Sequence, residues 1–253
     1  MWNAQQYEKF DAERTLPVRD LVARISLDPV RSMIDLGCGP GKSTSVLRDR
    51  WPDADITGLD NSPEMIAAAQ KTCPGERWVS GDIAEWASAG NQTFDLVFSN
   101  AALHWVPNHK ALFPQLLERS RGAFAAQMPA NFNGPAHELM REMALSPPWR
   151  PSFPQLPQWH SRRPEFYYDL LAPLSSRLDV WETEYVHVMP DATAIVEWFK
   201  GTGLRPYLDA LGSSEDRERF TADYVAGIRE RYQARPDGRV LFPFRRTFLV
   251  AYR

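Results

Sequence analysis

The sequence predicts an α/β fold: a doubly wound, mostly parallel sheet of seven strands, with helical insertions after strand 5 and between strands 6 and 7. Three observations predict it. Strand-like apolar runs alternate with helical stretches from residue 31 to 129, as crossovers in a parallel sheet require. The first such run, MIDLG, passes straight into Gly37, Gly39 and Gly41 and then into a helix. Acidic or amide residues follow each successive strand, at the sheet edge where ligands bind in such folds.

The elements follow in order. Residues 1–30 read as a lid segment and a helix, with Val18, Leu21, Val22 and Ile25 on one face. RSMIDLG is strand 1 and KSTSVLRDRW the helix after it. DITGLD is strand 2. SPEMIAAAQKT is a helix with Ser62 as N-cap and Pro63 at its first position. RWVSGD is strand 3. FDLVFSN is strand 4, nearly all apolar, as a strand buried on both faces should be. HKALFPQLLERS is a helix interrupted at Pro114, and GAFAAQM is strand 5. Residues 130–174 break the alternation and, dense in proline and aromatics, read as a cap. SSRLDVWETEYVHVM alternates as strand 6. Residues 190–240 are a helical, amphipathic insertion, and RRTFLVAYR is the last strand. The expectation is one domain over 1–253, with its ligand-binding core at 31–129.

Bulk properties narrow the function. The chain has 253 residues, is 43% hydrophobic and carries a net charge of −3. That balance shows no nucleic-acid footprint. No apolar run reaches the roughly 18 residues of a membrane span. The polar, acid-bearing N-terminus argues against a signal peptide. Two cysteines, Cys38 and Cys73, make neither a disulfide framework nor a metal site. A cytoplasmic protein without metal is expected, and its oligomeric state is open.

The glycine turn needs backbone that comes close to something. Its spacing, Gly-x-Gly-x-Gly, is not that of a dinucleotide fold. It is not a P-loop either, because the glycine such a loop requires five residues before Gly41 is Leu36. Asp35 closes strand 1. Asp60 closes strand 2, about 20 residues after the turn, where an acid can accept from both ribose hydroxyls. Asn61 and Met65 follow it. Asp82 and Ile83 follow strand 3, Asn100 ends strand 4, and Gln127 and Asn131 lie near the end of strand 5.

DLGCGPG, Asp60 and the pair Gly81-Asp82 resemble the motifs of the class I S-adenosylmethionine-dependent methyltransferases, which are Rossmann-like. The resemblance covers about residues 30–130. It implies S-adenosylmethionine as cofactor. It places the turn (Asp35, Gly37, Gly39, Gly41) against the methionine part, Asp60 on the ribose, and Asp82 with Ile83 on adenine. Asn61, Met65, Asn100 and Tyr7 complete the implied cofactor set. It implies an antiparallel seventh strand and makes Lys42 a surface residue. MWNAQQYEKF, NAALHWVPNH, QMPAN and FPFRRTFLVA are similar to a subfamily that methylates a carboxylate of trans-aconitate. That similarity implies a small polycarboxylate substrate and no nucleic-acid or membrane partner.

Methylating a carboxylate needs no base, because the acceptor is ionised at neutral pH. It needs orientation, with His104 and Trp105 as candidates, and cations for the non-reacting carboxylates. An antiparallel last strand brings Arg245 and Arg246 to the ligand edge, on opposite faces, and Arg246 is the preferred one. Arg205, from the helical insertion, is a second candidate cation. His104, Gln127, Asn131 and Tyr168 are candidate acceptor contacts. A phenol, quinone or other acid remains an alternative acceptor, with His104 then available as base.

Overall fold

The structure, a computed structural model, describes residues 10–253. Seven strands form one sheet in the order β3-β2-β1-β4-β5-β7-β6. They are β1 (Ser32–Leu36), β2 (Asp55–Asp60), β3 (Arg77–Ser80), β4 (Phe94–Asn100), β5 (Ser120–Pro129), β6 (Arg177–Met189) and β7 (Val240–Tyr252). The first five pair in parallel, and β7 runs antiparallel to both β5 and β6. The last strand starts earlier than its apolar end suggested. Its first half extends past the sheet edge and pairs with β6 alone.

Strand alternation sorts the core into two layers. On one face Met33, Ile56, Leu96, Phe98, Phe248 and Val250 meet α1 (Asp11–Arg24) and α2 (Lys42–Arg50). On the other Ile34, Leu36, Val97, Phe124 and Leu249 meet α4 (Ile83–Ser88), α5 (His109–Glu118) and α7 (Pro164–Leu171). The helix α3 (Pro63–Thr72) has the expected Ser62 cap, whose hydroxyl accepts from the Met65 N–H at 3.3 Å. In α5 the helix runs through Pro114 without a break. Its buried Leu112, Phe113, Leu116 and Leu117 hold that turn against the sheet despite the missing N–H.

The two insertions share one apolar core. Leu139 and Met140 of α6 (Pro135–Leu145), with Trp149 and Phe153, pack on Trp198 and Phe199 of α8 (Ala192–Lys200). Tyr207 of α9 (Arg205–Ala210) and Phe220 and Tyr224 of α10 (Ser214–Arg231) complete it. The expected cap of 130–174 therefore divides. Its first half joins the helical insertion, while α7 packs on the sheet. The Tyr167 hydroxyl on α7 bonds His109 Nδ1 at 2.8 Å and accepts from the Arg162 N–H at 2.9 Å.

Replacing Tyr167 by Phe keeps the ring and removes both bonds, one of them at a buried imidazole. The expected loss is about 1–3 kcal/mol of unfolding free energy, measured by urea titration.

Candidate active site

The parallel strands end at one edge, and a cavity of about 420 Å³ lies there. The turn after β1 forms its floor. The Gly37 and Cys38 N–H groups donate to the Leu59 carbonyl at 2.7 and 3.0 Å. The Gly39 N–H donates to Asp60 Oδ2 at 2.9 Å, and the Ser62 N–H to Asp60 Oδ1 at 2.9 Å. All three glycines have positive φ. A Cβ on Gly37 would lie 2.2 Å from the Ala102 Cβ, whereas one on Gly39 would meet nothing within 4 Å. So Gly37 is required by packing, and Gly39 leaves open space above the turn.

Gly37, Gly39, Asp60, Asn61, Met65, Asp82, Ile83 and Asn100 all line the cavity. Asp82 also caps α4, accepting from the Ala84 and Glu85 N–H groups at 2.7 and 3.0 Å. Asn100 Oδ1 is buried and has no hydrogen-bond partner. Burial pushes the Asp60 carboxyl upward, while the Ser62 and Gly39 N–H groups oppose the shift.

Two members of the expected cofactor set lie elsewhere. Asp35 sits behind the turn, fully buried, accepting from the Ser43 and Thr44 hydroxyls at 2.6 and 2.7 Å. It ties β1 to the start of α2, and burial pushes it up to about 6. Gly41 does not line the cavity; a Cβ there would press on Ala69 and Trp78 at 3.3 Å. Tyr7, and with it the expected lid of residues 1–10, lies almost wholly outside the described residues. Lys42 is exposed as expected, yet it also lines the cavity.

The far half of the cavity is aromatic. Trp105, Phe132, Trp159, Trp198, Phe199 and Phe244 form its wall. Arg246 enters from β7, 5% exposed, with its guanidinium 4.7 Å over the Phe244 ring. Strand alternation puts it on the face of Phe248 and Val250, and it sends Arg245 outward to solvent. Arg246 Nη1 donates to Gln127 Oε1 at 3.3 Å. His104 lines the wall nearby, docked through its carbonyl to the His160 N–H at 3.0 Å.

Several expected acceptor contacts are corrected. Gln127 is fully buried and outside the cavity lining; it braces Arg246 instead. Asn131 lies outside the lining as well. Tyr168 is 56% exposed on the outer surface, because the helical period turns its neighbour Tyr167 inward. Arg205 stays outside the lining and pairs with Asp209 one turn along α9 at 3.3 Å. Conversely, sequence reading missed Arg14 and Thr15 on α1, Trp159, Thr202, Gly203 and His137. His137 had a signal: on α6 it shares a face with the buried Met140 and Ala144, where an imidazole is out of place. Arg14 had none, since its partner, the Trp198 carbonyl at 3.1 Å, is remote in sequence.

Burial pushes His104 and His137 down to about 3 and His187 to about 4. The Arg246 charge adds to the effect at His104 and His187, and the Arg141 charge at His137. All three imidazoles are neutral at physiological pH. Among the described residues no cluster of acids, cysteines or histidines could hold a metal ion. No described helix is long and apolar enough to cross a membrane.

This strand order, with a glycine turn after β1 and acids at the ends of β2 and β3, defines a class I methyltransferase, a class that uses S-adenosylmethionine. A family model described as a methyltransferase domain matches residues 33–121. A trans-aconitate 2-methyltransferase from Azoarcus sp. (strain BH72) is 47% identical, over 100% of this chain and 99% of its own. One from Rhodopseudomonas palustris (strain BisB18) is 46% identical, over 99% of this chain and 98% of its own. The chain belongs to the trans-aconitate 2-methyltransferase family. Its fold is shared with a phosphoethanolamine N-methyltransferase from Haemonchus contortus, solved with S-adenosylhomocysteine. That match has a TM-score of 0.56 and 14% identity, over 93% of this chain and 52% of that one.

The glycines separate folding from binding. Gly37→Ala is expected to cost about 3 kcal/mol of stability by combining overpacking with a strained φ. Gly39→Ala is expected to cost only about 1 kcal/mol of stability while weakening S-adenosylhomocysteine binding at least tenfold by calorimetry, an order-of-magnitude expectation for blocking close backbone approach.

The histidines make a second prediction. Their folded pKa values lie below the ordinary 6.5, so between about 3 and 6.5 the unfolded chain binds more protons. Their contribution is complete above about 6.5 and is lost as pH falls through that window. Asp35, shifted up to about 6, opposes this in part. Urea midpoints measured from pH 7 to 4 should fall, and His187→Asn should flatten the decline.

Proposed function

We propose that the protein transfers the methyl group of S-adenosylmethionine to a carboxylate of trans-aconitate, giving the monomethyl ester and S-adenosylhomocysteine. The observation that carries the acceptor is Arg246, a buried guanidinium in the wall of a cavity otherwise lined there by aromatic rings. A guanidinium presents its donors as a fork that matches a carboxylate, and an aromatic wall of low polarity strengthens that pairing. The relatives named for trans-aconitate support the same reading.

The residues fit the cofactor. Gly39 leaves open space above the turn, and Asn100 holds a buried oxygen without a partner. Asp60 is held in place by two backbone N–H groups, with lone pairs left for ribose hydroxyls. Met65, Ile83 and the free side of Asp82 suit the adenine. When bound, S-adenosylmethionine supplies a sulfonium methyl already activated for displacement, and the C–S bonding pair stays on sulfur.

The chain's own task is then to bind and orient. Arg246 holds one non-reacting carboxylate, and Gln127 fixes the guanidinium by accepting from Nη1. Trp105 and the other rings exclude water, which strengthens the ion pair. No proton has to move, since the attacking carboxylate is ionised. His104 suits this division of labour. An imidazole pushed down to about 3 is a poor base for a phenol but a good neutral donor.

A labelled-methyl assay over di- and tricarboxylic acids and phenols tests the reading. With trans-aconitate, kcat is expected to stay flat from about pH 6 to 9. A rate that climbs through one ionisation near 9 would assign a phenol-type nucleophile. Arg246→Ala should cost about 2–5 kcal/mol in kcat/KM, and Arg246→Lys should recover only part.

A further inference from the structure

We propose that His137 is a specificity-determining residue: with His104 it forms a neutral donor subsite that holds a second carboxylate of the acceptor, beside the one on Arg246. The proposal rests on the carboxylate-acceptor reading above and names what that reading leaves unassigned. Three carboxylates must be accommodated. One attacks and one meets Arg246, so one more needs donors within the same small molecule's reach.

The wall supplies them in a continuous order. Arg246 lies close enough to His104 for its charge to be felt there, and His137 acts on His104 as well. The His104 and His137 rings both flank the stacked pair Phe132–Trp159. His104 is 6.0 and 6.1 Å from those two rings, and His137 is 5.1 and 6.1 Å from them. Both imidazoles are more than nine-tenths buried, both line the cavity, and neither Nδ1 has a hydrogen-bond partner. Buried polar groups of this kind are normally satisfied, and in the Nδ1–H tautomer each ring would donate its one N–H to a bound carboxylate.

Arg14 is the competing cation. It is separated from Arg246 by two rings. Its guanidinium lies 5.0 Å over Trp198, Trp198 is 5.5 Å from Phe244, and Arg246 lies 4.7 Å over Phe244. Arg14 also donates to the Trp198 carbonyl, which holds α1 to α8. Neutral donors have a further advantage. The cavity must accept a sulfonium cation as well as the acceptor, and another fixed positive charge would repel it. An imidazole donates without adding one.

The experiment compares kcat/KM for trans-aconitate with values for glutaconate, itaconate and mesaconate, which each carry one carboxylate fewer. His137→Leu and His137→Phe both remove the donors, and Phe suits the surrounding rings should Leu fail to fold. Either variant is expected to lower kcat/KM for trans-aconitate about 30-fold, the order seen when a hydrogen-bond donor to a charged group is lost. The loss should be far smaller for at least one of the diacids, so the tri- to diacid ratio collapses. His137→Gln, which keeps an N–H, should restore the ratio to within about fivefold. Calorimetry should show S-adenosylhomocysteine binding unchanged in every variant. An unchanged ratio in Leu and Phe variants, or a loss confined to S-adenosylhomocysteine binding, overturns the proposal. So does a ratio that collapses only in Arg14→Gln. A wild-type enzyme that methylates none of these acids overturns the carboxylate reading itself, and this proposal with it.

Discussion

Three hydrogen bonds from the glycine turn to the last two residues of β2 hold the site together. The Leu59 carbonyl takes the N–H groups of Gly37 and Cys38, and the Asp60 carboxylate takes that of Gly39. The turn must fold tightly to make them, which forces positive φ at Gly37 and Gly39 and brings Gly37 against Ala102. Ala102 in turn precedes the short helical turn Leu103–Trp105, so the same constraint places His104 and Trp105 in the cavity wall. Asp60 therefore has two jobs. It fixes the backbone of the turn and presents the remaining lone pairs of its carboxylate to the cavity.

Charge is divided along the cavity. Asp60 and Asp82 stand on the side of β2 and β3, and Arg246 and Arg14 on the side of β7 and α1. The division follows from strand order, because β2–β3 and β7–β6 occupy opposite ends of the sheet. A cationic sulfonium with hydroxyl-bearing ribose suits the first side, and a polyanion suits the second. Between them the wall is aromatic and low in polarity, which strengthens both sets of interactions.

The half of the cavity at β1 to β4 was legible in the sequence because its residues lie within a few positions of strand ends. Once strands are located, Asp60, Asp82 and Asn100 follow from topology alone. Asp35 was misread for a related reason: strand alternation turns it to the α2 face, where two hydroxyls claim it. The aromatic half was legible only where a strand carried it. Arg246 was reached through the direction of β7. Arg14, Trp159 and His137 come from a helix, a proline-rich loop and another helix, brought together by packing that no local pattern encodes. Tyr168 and Arg205 failed on the same point, since a helix can turn either face to a cavity.

The helical insertion leaves the sheet at Met189 and returns at Val240, and these two residues face each other across the β6–β7 ladder. Chain of any length can therefore be looped out there without moving the strands or lengthening the gap it must close. The part of the cavity wall that this insertion carries, Trp198, Phe199, Thr202 and Gly203, thereby hangs from one pair of facing strand residues. Change in the chain between Met189 and Val240 can reshape those four wall residues and their packing on α6, while the turn after β1 and the ends of β2 to β4 keep their places.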